Sequence, residues 1–92
     1  MAISRADRRR ERVDRVRSWF EQDEAPTALD LLEVLELAWH DCYGEISPPE
    51  DIIDDVLLLS DGDLAALIRA VRLATTDWRD LKMAAAERRS LP

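Results

Sequence analysis

The sequence predicts an all-α fold: a small antiparallel four-helix bundle with a long C-terminal helix, in a single domain spanning residues 1–92. Glycine is rare, with 2 in 92 residues, 47% of the residues are apolar, and the helix formers Ala, Leu, Glu and Arg are abundant. This composition favours helices over strands. Apolar residues also recur at helical spacing in four segments that are separated by short connections. Short connections place consecutive helices antiparallel.

The first two helices are predicted at about residues 4–22 and 27–43. The apolar stripe of the first begins at Val13, and the arginine-rich segment before it offers only alanine as an anchor. We therefore expect residues 1–12 to fray. At the second helix, Thr27 and Asp30 resemble a capping box, and Gly44 suits the left-handed position that ends a helix.

The last two helices are predicted at about residues 48–59 and 63–88. Ser47 is the expected N-cap of the third helix, followed by proline at the first helical position and glutamate at the third. The fourth helix carries a heptad seam of Leu64, Leu67, Val71, Ala74, Trp78, Leu81 and Ala85. This seam faces the other helices if the chain is a monomer, or forms a homodimer across residues 64–85, and Trp78 is buried in either case.

The segment WHDCYGE, residues 39–45, holds the only histidine, cysteine and tyrosine of the chain. At 100° per residue, Cys42 falls on the same stripe as Leu31 and Leu35 and should be buried, whereas His40 falls on the opposite, outer side. A nucleophile and its base must approach within about 3 Å, so this pair predicts no catalytic site. The chain also lacks a converging set of zinc ligands and a phosphate-binding glycine loop. We expect no enzymatic activity, no metal and no cofactor.

Charge is distributed unevenly along the chain. Residues 1–17 hold seven arginines and three acids, residues 18–63 hold fourteen acids and no basic residue, and residues 64–92 hold six basic residues and three acids. Repulsion within the acidic middle destabilises a compact fold unless the basic ends fold back against it or a partner neutralises it.

The acidic middle carries the leading hypothesis on function. Leu37 and Leu58 fall among carboxylates on the predicted outer faces of helices two and three, unless they form a second core stripe. An apolar residue ringed by acids suits a docking surface, because it adds desolvation to electrostatic steering. The pattern predicts a non-enzymatic module that binds a basic protein, by physical analogy with immunity proteins and antitoxins that inhibit basic nucleases. The predicted binding residues are Glu33, Glu36, Leu37, Asp51, Asp54, Asp55, Leu58 and Asp61.

A nucleic-acid-associated regulator is the alternative hypothesis. Its phosphate contacts would come from Arg8, Arg9, Arg10 and Arg12 of the first helix. Acids interleave these arginines, however, and no aromatic residue lies among them to stack on a base.

The expected location is the cytoplasm, with no membrane contact. No apolar run approaches the roughly 18–20 residues that span a bilayer, and no apolar stretch follows the N-terminal arginines as in a secretory signal. One cysteine excludes an internal disulfide. Twelve arginines against one lysine are typical of a GC-rich bacterial genome.

Overall fold

The computed structural model describes residues 4–91, which form five α-helices and, within that range, no strand. The helices are α1 (Arg5–Arg17), α2 (Ala25–Tyr43), α3 (Glu50–Ser60), α4 (Leu64–Thr76) and α5 (Trp78–Ser90). The all-α prediction is confirmed. The prediction of one long C-terminal helix is wrong, because the helix is interrupted at Asp77. Since the described residues form five helices, the four-helix bundle is not confirmed.

Helix α1 begins inside the segment that was expected to fray. Ser4 and Asp7 form a capping box, in which the Ser4 hydroxyl accepts from the Asp7 backbone N–H at 3.1 Å and the Asp7 carboxylate accepts from the Ser4 N–H at 3.3 Å. The first part of the predicted frayed segment, residues 1–3, lies outside the described residues. At its other end α1 stops at Arg17, five residues earlier than predicted, and Phe20 in the following turn still enters the core.

Proline and glycine lie at the two ends of α2, and proline precedes α3. Helix α2 begins two residues before the predicted start, with Pro26 in its first turn, and ends at Gly44, whose φ is 74°. Helix α3 begins at Glu50 and has no side-chain cap. The prediction that Ser47 caps α3 is wrong, since its hydroxyl instead donates to Glu36 Oε2 at 2.8 Å.

The break between α4 and α5 lies at Asp77, whose backbone is extended with φ −157° and ψ 89°. Its carboxylate accepts from the backbone N–H groups of Arg79 at 3.2 Å and Asp80 at 3.3 Å, which starts a new helix. The hydroxyl of Thr76 donates to the Arg72 carbonyl at 2.7 Å. Such local bonds compete with continuation of a helix. The break turns Trp78 outward to 37% exposure, so the prediction that Trp78 is buried is wrong.

The core lies around α4, which packs against α2, α3 and α5, while α1 packs against α2. Its most completely buried large apolar side chains are Leu32, Leu35, Ile52, Ile53, Leu57, Leu67 and Leu81. The buried face of α2 runs through Leu32, Leu35 and Trp39, about a sixth of a turn from the predicted stripe. Cys42 is therefore exposed, and the prediction that it is buried is wrong. Among the described residues no helix has both the length and the apolar character needed to cross a membrane.

Candidate functional site

Two of the predicted docking acids lie in the interior of the protein. Glu36 and Asp55 are each only 2% exposed, so their assignment to an outer binding face is wrong. Glu36 is paired with Arg8 and Arg12 of α1. Asp55 is paired with Lys82 at 3.4 Å and Arg89 at 2.8 Å, both on α5. Both carboxylates were predicted on the outside because a projection of one helix shows no neighbouring helices. In the structure α1 covers Glu36 and α5 covers Asp55.

Helix α1 lies across the acidic surfaces of α2 and α3 and neutralises part of them. Arg9 contacts Asp30 at 2.7 Å and Glu33 at 3.1 Å on α2. Arg15 bridges to α3, where it lies 2.9 Å from Glu50 and 2.8 Å from Asp54. The predicted docking residues Glu33 and Asp54 are thus held by α1, and Asp51 is held by Lys82. The basic ends of the chain fold back on its acidic middle.

All four arginines predicted to bind nucleic acid form ion pairs within the protein. Arg8 and Arg9 are paired with acids of α2, and Arg10 is paired with Asp7 of its own helix. Arg12 is 2% exposed and lies beside Glu36. Its assignment to a phosphate-binding surface is wrong, because a buried guanidinium cannot reach a duplex or single strand.

The histidine and the cysteine both lie at the surface of the protein. His40 is exposed, as predicted, and its Nδ1 lies 3.2 Å from the Glu45 carbonyl oxygen. Across residues 4–91 no group of three histidine, cysteine or acidic side chains could hold a metal ion. Of the predicted docking residues that remain, Asp61 is exposed, Leu37 is 50% exposed and Leu58 is half-buried.

A cleft that the sequence did not predict opens where the end of α2, the start of α3 and the start of α5 meet. Its volume is about 240 Å³. The lining residues are Trp39, Tyr43, Glu45, Pro49, Asp51, Ile52, Trp78 and Lys82. Three of the five aromatic residues of the chain therefore converge on one site. Two of them are substantially exposed there, Tyr43 at 36% and Trp78 at 37%.

Hydrogen bonds fix the aromatic wall that α2 contributes to the cleft. The rings of Trp39 and Tyr43 contact each other, with centroids 4.4 Å apart and planes inclined by 57°. The Trp39 indole N–H donates to Glu45 Oε1 at 3.0 Å, and the Tyr43 hydroxyl donates to the Ala74 carbonyl at 3.2 Å. Burial, with smaller contributions from Cys42 and Asp77, raises the pKa of Tyr43. These hydrogen bonds hold both rings in place.

The charges at the cleft leave one carboxylate without a cation. Lys82 lies between Asp51 and Asp55, and the hydrogen bond between Lys82 and Asp51 raises the pKa of the ammonium and lowers the pKa of that carboxyl. Glu45 has no ion pair within residues 4–91 and is exposed at the mouth of the cleft. The cleft thus combines an apolar floor with an excess of negative charge.

The sequence does contain signals for this cleft. Trp39 and Tyr43 are four residues apart, which places both rings on one face of α2, and Asp77 with Asp80 resembles a helix start immediately before Trp78. The prediction from WHDCYGE concerned catalysis and did not include a cleft lined by Trp39 and Tyr43. No protein-family model, no curated protein and no solved structure matches the chain.

Proposed function

We propose that the protein is a small non-enzymatic binding module that docks a basic protein partner, with the cleft at the centre of the docking face. The supporting observation is the pair Tyr43 and Trp78, which come from different helices, are each over one-third exposed and line a cleft that also holds carboxylates. Tryptophan and tyrosine are the residue types enriched where binding energy concentrates. A rigid aromatic wall also loses little conformational entropy on binding.

The charge of the molecule supports a basic partner. The net charge is −7 at pH 7, and such a field steers cationic proteins to the surface and raises their association rate. Asp51 and Asp54 extend the acidic surface from the cleft along α3, although each also contacts a cation of the chain. An inhibitor that occupies a basic nuclease, as immunity proteins and antitoxins do, is the kind of protein that this arrangement suits by physical analogy.

Affinity capture with matched tryptophan variants tests the proposal. Trp78→Ala removes an aromatic wall of the cleft, whereas Trp19→Ala removes a tryptophan of nearly equal exposure, 36%, that does not line it. We expect the wild type and Trp19→Ala to retain the same basic protein from an extract of the source cells, and Trp78→Ala to lose it while keeping its circular dichroism. A partner retained equally by both variants, or one with an acidic surface, contradicts the proposal.

The association rate of the purified complex tests the role of charge. Glu45→Lys should slow association at low salt by about tenfold or more, since steering depends on charge at long range. Asp23→Lys is the matched control, because Asp23 is exposed, carries no ion pair within residues 4–91 and lies in the α1–α2 connection away from the cleft. Equal slowing by both changes would mean that only net charge matters and that the cleft is not the docking centre.

A nucleic-acid-associated regulator remains a second candidate, but with different arginines. Arg69, Arg72 and Arg88 have no ion pair within residues 4–91, and they line two adjoining clefts of about 290 and 270 Å³ with Leu73. A mobility-shift assay at low and high salt tests this candidate. Retardation that Arg69→Ala weakens and Arg5→Ala does not would favour it.

A further inference from the structure

The cleft holds a carboxylate whose hydrogen-bonding capacity is only partly used. Glu45 Oε1 accepts from the Trp39 indole, and Oε2 has no hydrogen-bond partner in the described part of the chain. Glu45 also has no ion pair there, unlike Asp51, the other carboxylate that lines the cleft. A fixed carboxylate beside aromatic rings attracts a cation, both through its charge and through the negative faces of the rings.

Because Glu45 Oε2 can accept a further hydrogen bond, the site favours cations that carry an N–H donor. A quaternary ammonium stacks on aromatic rings but carries no N–H to give to Oε2. A lysine ammonium donates but is compact and strongly hydrated, so it gains less from an apolar wall. The guanidinium of arginine is planar, is weakly hydrated, stacks on aromatic faces and presents a fork of N–H donors that matches a carboxylate.

We infer that the cleft is an arginine-binding site, in which a guanidinium stacks against Tyr43 and Trp78 and donates to Glu45. The chemical class of ligand is an exposed arginine side chain, supplied by the basic partner if the proposed function is correct. Arg79 shows that the Trp78 ring accepts this kind of contact, since its Cζ lies 5.4 Å from the ring centroid. Arg79 is not among the residues that line the cleft, so it leaves the space open.

Lys82 sets the orientation of the bound guanidinium. Its ammonium lines the same cleft and is held by Asp51 and Asp55 on the α3 side. Like charges repel, so the incoming cation is directed away from Lys82 and towards the α2 side, where Glu45 is hydrogen-bonded to Trp39. An arginine therefore enters with its guanidinium on the side of the cleft that holds Glu45 and the aromatic rings.

Titration of the intact protein with small peptides tests the site without any partner. The probes are acetyl-Gly-Arg-Gly-amide and acetyl-Gly-citrulline-Gly-amide, which have the same shape but differ in charge. Indole N–H resonances report each tryptophan separately. We expect the arginine peptide to shift Trp39 and Trp78 but not Trp19, and the citrulline peptide to bind about tenfold more weakly or not at all.

Variants then separate the contribution of Glu45 from general charge. Glu45→Gln keeps an oxygen that can accept from the Trp39 indole, and it should lower the affinity for the arginine peptide by about tenfold. Asp41→Asn removes one nearby exposed carboxylate and should leave the affinity unchanged.

A choline titration tests whether the site takes a small organic cation instead. Tighter binding of choline than of the arginine peptide would overturn the inference. Equal binding of the arginine and citrulline peptides, or shifts spread evenly over all three tryptophans, would also overturn it. The proposed function fails separately if the cleft binds the arginine peptide but Trp78→Ala retains the captured protein as well as the wild type does.

Discussion

Arg12 and Glu36 form an ion pair inside the protein, with 3.2 Å between Nη1 and Oε2 and 2% of each side chain exposed. The Ser47 hydroxyl completes the cluster, since it accepts from Arg12 at 3.1 Å and donates to Glu36 at 2.8 Å. Removing both charges from water is costly, and a buried pair of this kind depends on good geometry to compensate. The cluster ties α1 to α2 and to the loop before α3.

Breaking this pair should strongly destabilise the protein. Glu36→Leu leaves the buried Arg12 without its nearest carboxylate and should lower the free energy of unfolding by about 3–5 kcal/mol. Arg9→Met breaks the partly exposed pairs with Asp30 and Glu33 and should cost about 0–1 kcal/mol. Urea denaturation measures both. A cost for Glu36→Leu no larger than that for Arg9→Met would mean that water reaches the pair.

The same carboxyl predicts how stability depends on pH. Burial alone raises the pKa of Glu36, but hydrogen bonds from Arg8 and Ser47 and the charges of Arg12 and Arg8 outweigh it, so the pKa lies below its ordinary value of 4.5. The unfolded chain binds the proton more readily, so the stabilisation is present above pH 4.5 and is lost as pH falls through the folded-state pKa. Melting temperatures between pH 7 and strongly acid pH should fall less steeply for Glu36→Gln than for Asp61→Asn. Parallel curves would contradict the assignment.

The two glycines should differ in their tolerance of a side chain. Both have positive φ, 74° at Gly44 and 78° at Gly62. A Cβ at Gly44 meets nothing within 4 Å, whereas one at Gly62 would lie 2.5 Å from the Trp19 carbonyl oxygen. Gly44→Ala should cost about 1–2 kcal/mol for the left-handed conformation, and Gly62→Ala should cost more because backbone must also move. Thermal unfolding ranks the two variants, and equal costs would show that the Trp19 turn moves aside freely.

Cys42 should react readily in the folded protein. Its side chain is exposed at the end of α2, so a thiol reagent should label it at a rate close to that measured in denaturant. Cys42→Ser should change the free energy of unfolding by less than about 0.5 kcal/mol, as expected of an exposed site. Labelling that begins only when denaturant is added would place this face of α2 in the core.

Local sequence signals predicted a helix boundary correctly where no other signal conflicted with them. Gly44 ends α2 as expected, because only the residue itself and its neighbours decide whether a left-handed conformation is accessible. At Asp77 two local signals disagreed. The heptad seam runs unbroken across that position, and Leu81 and Ala85 are buried as it predicts. The capping pattern of Asp77 and Asp80 nevertheless starts a new helix, so the apolar period alone misplaced Trp78.

The docking acids could not be assigned correctly from one helix at a time. Arg9 reaches Asp30 across 21 residues, and Arg15 reaches Asp54 across 39 residues. A helical projection orders the side chains around one axis but does not show which neighbouring helix covers them. The aromatic cleft escaped prediction for the same reason, since its walls come from three helices that meet only in the folded chain.

The position of α1 has a consequence for the order in which the protein assembles. Helices α3 and α4 are consecutive and in contact, so a short loop closure brings them together early. Helix α1 is synthesised before its partners exist, and its acceptor on α3 lies up to 39 residues further along the chain. Its only fully buried apolar side chain is Val16, so little hydrophobic collapse draws it in. We therefore expect α1 to dock late in folding, and because ion pairs from its arginines join it to α2 and α3, we expect the rate of that step to fall as salt rises.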